Sequence, residues 1–465
     1  MLSNKIFILI IIFLIAFSIS STLVSAEEID LKTALESALE NNSRIKAAEE
    51  KLKAAENKNA AAESIMNSKL RGEIAWQDEE LTNDGNFVSS LTYSKLFAES
   101  KGTKAKLNQA ELDFLIANLE YQKLRDEILH TVIKQYYSLL KVQKLIEKQE
   151  AGLKKAKALY KDAELRFEDS LLTEAGLLRL EINLDKSRQA LKQSNNQYQT
   201  NSEQFKRITG ISAADNNLKI EEEILFSEKE LREDNADIFW DTALNNRSNY
   251  LIQILSLDNI ENSIDYLESE KRPTFTLGGE YNFEDGKVEA AANSDYQLNV
   301  STRLDTIDKE EMYISLADMQ LFEENEWKIT AAVSYEFSDG GKKNAEIKSA
   351  QANLNENEIK IKDLEEEIKI LINAKLRELA ESRERMETAA KNLKRAELEY
   401  QSTEKRFKQG AVTESALISA QNLLEKAETE NIVAKYSYEL KKAELLSEMQ
   451  IIYKELINEQ PGGDL

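Results

Sequence analysis

Two stretches of this chain, Lys104 to Phe167 and Asn344 to Phe407, run without a proline and carry apolar residues at alternating steps of three and four. In the first, the stripe passes through Phe114, Ala117, Tyr121, Leu124 and Ile128. It weakens through Thr131, Gln135 and Ser138, then resumes at Val142 and Leu145. In the second it includes Ile361, Leu364, Ile368 and Leu371. This is the period of a coiled coil. A helix of about 65 residues is about 100 Å long at 1.5 Å per residue, far longer than an ordinary globular domain can hold. Only two prolines, Pro273 and Pro461, occur in 465 residues, so the chain has few places to stop a helix.

The two stretches are copies of one unit. Tyr160-Lys-Asp-Ala-Glu-Leu-Arg166-Phe167 returns as Tyr400-Gln-Ser-Thr-Glu-Lys-Arg406-Phe407, and Thr173-Glu174 returns as Thr413-Glu414, at a constant offset of 240 residues. A duplicated unit implies a pseudo-symmetric molecule. The organisation read from this pattern is a signal peptide at 1–26, a first repeat at 27–211, a polar linker at 212–237, a second repeat at 238–457 and a tail at 458–465. Each repeat opens with a shorter helical tract, from Asp30 to about Ile65 and from Ile238 to about Glu270. Each then carries a long helix and an antiparallel return, Thr173 to Thr209 and Thr413 to about Ile457. The turns between them fall at Glu168 to Leu172 and Lys408 to Val412. Gly410 suits a positive-φ position there, with Ser170 in its place in the first copy, and Gly210 suits a helix C-cap.

The N-terminus reads as a secretory signal. Lys5 precedes an apolar run from Ile6 to Phe17, and Val24-Ser25-Ala26 fits the small-residue cleavage rule. No later segment approaches the roughly 20 apolar residues of a membrane helix. The chain has no Cys, which excludes disulfides, thiolate metal sites and a cysteine nucleophile, and a single His, His130. His130 sits among apolar neighbours and reads as a packed or half-exposed helix residue. Sixty-one basic against 84 acidic residues leave a net charge of −23, which repels phosphate backbones and disfavours nucleic acid as a partner. No catalytic constellation, cofactor site or metal site is signalled, so the chain reads as a non-enzyme.

Each repeat is interrupted by β-type sequence. Leu70, Gly72, Ile74 and Trp76 alternate with polar residues over 70–77, and a looser alternation covers 87–97. In the second repeat Phe275, Leu277, Gly279, Tyr281 and Phe283 alternate over 274–283, and Ile329, Ala331, Val333, Tyr335 and Phe337 over 328–337. Runs of 8 to 11 residues with one apolar and one polar face have the length of tilted strands crossing a bilayer. Four strands cannot close a barrel, and open edges are not tolerated in lipid, so several chains must share one barrel. An insertion at 284–325 carries further alternation at Tyr296, Leu298, Val300 and Thr302, and a weaker run from Met312 to Leu321. We read it as an external hairpin, with extra barrel strands as the alternative.

Taken in order, several segments resemble the TolC-type outer-membrane efflux protein family. They are Leu31-Lys-Thr-Ala34-Leu-Glu-Ser-Ala38-Leu-Glu-Asn-Asn42, Arg207-Ile-Thr-Gly210, Arg272-Pro273-Thr-Phe275-Thr-Leu277, Phe337-Ser-Asp-Gly340-Gly341 and Arg406-Phe407-Lys-Gln-Gly410. The resemblance implies a mainly α protein with a small β part, whose long antiparallel helical hairpins (an α-barrel) join transmembrane strands of a shared oligomeric β-barrel. It implies a homotrimer with a twelve-stranded barrel in outer-membrane lipid and a helical tunnel in the periplasm. A periplasmic adaptor and an inner-membrane transporter would be its partners in a tripartite efflux or type I secretion system. A soluble periplasmic coiled-coil scaffold or adaptor is the rival reading.

The resemblance also directs attention to the helical tips, where such a duct must close. The family's aspartates six and nine residues after the tip glycine are replaced here by Ala416 and Ser419, and a large basic residue two after it by Val412. Phe407 matches an aromatic closure position. The expected gate is helix packing around Leu171, Leu172, Phe407, Gly410 and Val412, with Glu174 or Glu414 as a cation-selective ring. The plainer reading, favoured by the pattern, is that the two Thr-Glu pairs simply start helices. Arg166, Phe167, Arg406 and Phe407 are the expected adaptor contacts, unless each Phe packs its hairpin and each Arg pairs with a nearby carboxylate.

Overall fold

The computed structural model describes residues 28–77, 86–170, 172–211, 218–222, 236–283, 286–304, 326–409 and 411–457. The expected signal peptide, Leu171, Gly410, most of the linker and the run from Met312 to Leu321 lie outside them. The first repeat contains β1 (Glu28–Ile29), α1 (Leu31–Asn41), α2 (Ser43–Glu63), β2 (Lys69–Gln77), β3 (Asn86–Leu96), α3 (Lys101–Glu168) and α4 (Glu174–Thr209). After β4 (Lys219–Ile220), the second contains α5 (Ala236–Asn246), α6 (Ser248–Ser269), β5 (Thr274–Phe283), β6 (Gly286–Asn293), β7 (Gln297–Leu304) and β8 (Glu326–Ser334). It ends with α7 (Lys342–Lys408), α8 (Glu414–Met449) and the short α9 (Ile452–Leu456). The duplication is visible in helix lengths: 68 and 67 residues for α3 and α7, and 36 each for α4 and α8.

The chain divides into two compact units. One comprises the residues up to Lys46, Leu124–Ala243 and from Leu371 onward; the other comprises Ala47–Lys123 and Leu244–Ile370. In the first unit, local chemistry sets the helix ends. Asp30 caps α1 by accepting from the Thr33 amide at 2.7 Å. Asn42 interrupts α1 and α2: its Oδ1 accepts from Arg44 N at 2.9 Å while its Nδ2 donates to the Ile208 carbonyl at 2.8 Å. The expected cap at Gly210 is present with φ 72°, its N–H donating to Lys206 O. A Cβ there would lie 2.4 Å from the Cβ of Asn41, so glycine is required both by backbone and by space. The core of this unit gathers Leu35, Leu129, Ile133, Tyr136, Tyr137, Leu140 and Phe205, all essentially inaccessible. The Tyr136 hydroxyl reaches out of that core to donate to Glu221 O at 2.7 Å, which ties down the β1–β4 parallel pair.

In the second unit, α6 is held between α3 and α7 by paired polar groups. Ser248 donates to Leu119 O at 2.9 Å, Asn259 to Gln109 at 2.6 Å, Tyr250 to Glu365 at 2.7 Å, and Asn357 to Gln253 O at 2.9 Å. Besides most of α2, the unit holds one antiparallel sheet of six strands in the order β2-β3-β7-β6-β5-β8. The four expected strands are present within two to three residues of their expected ends.

The insertion corrects the sequence reading. Its first part is no external hairpin: β6 pairs with β5 from Phe283↔Gly286 to Thr276↔Asn293, and β7 pairs with β3 from Ser89↔Leu304 to Leu96↔Gln297. Among the described residues this sheet thus has six strands where four were expected. The physical reason is backbone pairing: inserted between β3 and β5, the hairpin has a hydrogen-bonded neighbour on both sides along its whole length, as a free hairpin would not. Gly286, at the head of β6, was the overlooked signal. A Cβ on Gly286 would lie 2.0 Å from the carbonyl oxygen of Arg303, so only glycine admits the β7 backbone there. At the opposite turn Tyr296 takes φ 62°, while Asn293 Oδ1 accepts from the amides of Asp295 and Gln297.

Candidate functional site

The sheet has one apolar and one polar face, set by register. One row joins Leu70, Tyr93, Val300, Ala290, Gly279 and Ile329 across all six strands; two residues along, another joins Gly72, Leu91, Thr302, Val288, Tyr281 and Trp327. Nothing in the chain covers this face among the described residues: Ile74 is 73% exposed, Trp327 76% and Ile329 79%. In water that much contiguous apolar surface on a sheet would be strongly unfavourable. The opposite face carries Arg71, Glu73, Thr92, Glu280, Lys287, Glu289, Ser301, Arg303, Lys328 and Thr330. Ion pairs on it include Arg71–Glu73 at 3.4 Å and Lys328–Glu280 at 3.9 Å. An apolar face outside and a polar, paired face inside is the division a membrane barrel requires.

Aromatic residues mark both borders of the apolar band. At the end remote from the helices Tyr281 packs on Trp327 with ring centroids 4.6 Å apart, with Phe283 and Trp76 nearby in register. At the helical end stand Phe275, Phe97, Tyr296, Tyr335 and Phe337, all exposed, with Tyr335 and Phe337 edge to face at 5.0 Å. Eight residues separate Trp327 from Tyr335, about 27 Å along a strand. At a tilt of roughly 40° that is about 21 Å of height, close to the ~25 Å apolar band of outer-membrane barrels with their aromatic girdles.

The helical turns belong to the first unit. Ser170 adopts φ 54°, the left-handed role expected of it. Thr173 and Thr413 cap α4 and α8, accepting from Gly176 N at 3.2 Å and Ala416 N at 3.4 Å. Glu174 and Glu414 are then first-turn residues where a carboxylate meets the positive end of the helix. Leu172 is half-buried against Gly176, where an added Cβ would be 2.8 Å from its Cδ1. Phe407 and Val412 are half-buried; Phe167, Arg406 and Glu174 are exposed.

The fold brings together residues from both turns. The Arg166 guanidinium lies 5.4 Å from the Phe407 ring centre while its Nε holds Asp162 at 2.9 Å. Glu414 is half-buried beside this group. Its Oε1 has no hydrogen-bond partner among the described residues, and burial raises its pKa against the opposing charges of Arg166 and Arg179. Of the four tip residues offered for adaptor contact, Arg166 and Phe407 are therefore engaged with each other, and Phe167 and Arg406 face outward. Arg179, five residues past Glu174 on the same helix, was not anticipated; nothing in its spacing distinguishes it from other solvated arginines. His130 is half-buried, its pKa lowered by desolvation.

A two-faced membrane sheet whose edge strands are paired on one side only among the described residues, on a chain of duplicated long helices, defines the class of outer-membrane channel proteins. The Outer membrane efflux protein family model matches residues 34–211 and 240–447, and the chain belongs to that family. No curated protein matches the sequence. Solved structures share the fold. The outer membrane protein VceC of Vibrio cholerae is 15% identical, with TM-score 0.68, over 90% of this chain and 96% of that one. The Campylobacter jejuni CmeC outer membrane channel is 14% identical, with TM-score 0.68, over 92% and 89%. The open state of the Neisseria gonorrhoeae MtrE outer membrane channel is 10% identical, with TM-score 0.67, over 90% and 88%. The protein resides in the outer membrane, extends into the periplasm and serves as an exit duct for efflux.

Proposed function

We propose that three copies of this chain assemble into one passive conduit, docked through its helical tips to a periplasmic adaptor and an inner-membrane transporter that supplies the energy. No chemical step is assigned to it. The observation that carries the assembly is the sheet: among the described residues its apolar face is bare and its outer strands β2 and β8 each have a neighbour on one side only. In hydrocarbon such edges cost several kcal/mol per unsatisfied group, and other copies are the simplest complement. Closure at the tips is by packing of Leu172, Phe407 and Val412, all half-buried at the two turns. Glu174, exposed at its turn, is the better candidate for a charged ring than Glu414, which faces Arg166 and Arg179 in its own chain.

The test is purification in detergent followed by mass measurement and planar-bilayer recording. A three-chain particle that forms ion channels supports the reading. A monomer that washes from membranes with carbonate and conducts nothing favours the soluble scaffold and ends it.

A further inference from the structure

Inserting β6 and β7 changes what each copy brings to a shared barrel. The strands alternate strictly in direction across the sheet, so β2 and β8, at its two edges, run oppositely. The β8 edge of one copy can therefore pair antiparallel with the β2 edge of the next, and the ring closes with no parallel pair. One extra strand would have broken that alternation; a hairpin of two preserves it. Edge lengths agree as well, at nine residues each for β2 and β8. The hairpin also continues both faces: Val288, Ala290, Ala292, Leu298 and Val300 extend the apolar band, while Lys287, Glu289, Ser301 and Arg303 extend the polar one. The Glu289 carboxylate takes Lys287 as an ion-pair partner and accepts from Ser301 at 3.4 Å, so these charges are paired along the wall.

We propose that this protein's membrane pore is an eighteen-stranded barrel, six strands from each of three copies, sealed by β8 of one copy against β2 of the next. The inference rests on the duct reading above. Barrel diameter grows roughly linearly with strand number, so this one is about half again as wide as a twelve-stranded barrel, with roughly twice its cross-section. Barrels of that size hold an open aqueous channel. The membrane end then imposes no tight size limit, and the duct suits bulky, hydrated solutes; selection among them falls to the tips and the transporter.

Disulfide mapping in the full-length protein in outer membranes tests this, because the chain has no cysteine of its own. Thr92→Cys with Ser301→Cys joins β3 to β7, which are partners in the six-stranded sheet. Thr92→Cys with Thr276→Cys, Gly278→Cys or Glu280→Cys would join β3 to β5. Those strands are three spacings apart here, about 14 Å, beyond the ~7 Å limit of a disulfide. Ile74→Cys combined in turn with Trp327→Cys, Ile329→Cys, Ala331→Cys or Val333→Cys scans the β2–β8 seam. The expected result is a monomeric 92–301 disulfide, and a covalent three-chain ladder from at least one seam pair. Three-chain channels that instead form a 92–276, 92–278 or 92–280 disulfide overturn the wide barrel and leave the duct standing. Absence of any three-chain particle overturns both.

Discussion

The guanidinium of Arg166, at the end of α3, sits 5.4 Å from the ring centre of Phe407, at the end of α7. The two residues occupy non-identical places in the duplicated motif, an Arg from one copy and a Phe from the other, so the contact breaks the pseudo-symmetry that the repeat implies. An exposed cation–π pair contributes about 0.5–1 kcal/mol. If the tips close the duct by packing, this contact is part of the closed state. Phe407→Ala should then raise the channel's open probability roughly two- to fivefold in planar-bilayer recordings, whereas Phe167→Ala, at an exposed residue, should leave it unchanged.

Charge at the turns is separable by the same recording. Glu174→Gln should reduce preference for cations over anions, because Glu174 is exposed at its helix start. Glu414→Gln should change selectivity much less, since Arg166 and Arg179 already oppose its charge. Equal losses in the two variants would contradict the assignment of the ring to Glu174.

The two sheet faces predict opposite responses to one substitution. Ile329→Lys places a charge on the bare apolar face and should cost about 2–4 kcal/mol at mid-bilayer depth. The neighbouring Thr330→Lys falls on the polar face and should be tolerated. Heat-resistance of the assembled particle on gels compares them. Equal behaviour would mean that the sheet has no lipid-facing side.

Asp126 confers a pH dependence. Its carboxylate accepts from Tyr453 N at 3.3 Å, anchoring α9, and desolvation pushes its pKa up to about 6 despite the nearby Arg125 and Lys454. The folded state therefore holds its proton more tightly than the unfolded chain. Stability from this group is full below the ordinary carboxylate range near 4 and is lost as pH rises through about 6. The difference amounts to about 3 kcal/mol at most. Thermal melts of the wild type should be higher at pH 5 than at pH 7.5, and Asp126→Asn should flatten that difference.

Much of this molecule was readable from one dimension. Long helices, their capping threonines, Gly210 and the left-handed Ser170 depend on neighbours within a few residues, so spacing alone locates them. The four strands of alternating pattern were equally legible, because side-chain period follows directly from backbone geometry. The hairpin of β6 and β7 was not. Its alternation shows one apolar face, but whether such a hairpin stands free or enters a sheet depends on pairing with β3, more than two hundred residues earlier in the chain. The tip cluster was hidden for a related reason. Arg166, Phe407, Glu414 and Arg179 come from four different helices, and only the packing of both repeats in one unit makes them neighbours. Local rules act through covalent proximity and survive in the sequence. Strand order and cross-repeat contacts are selected by competition among distant partners, which appears only once the chain has folded.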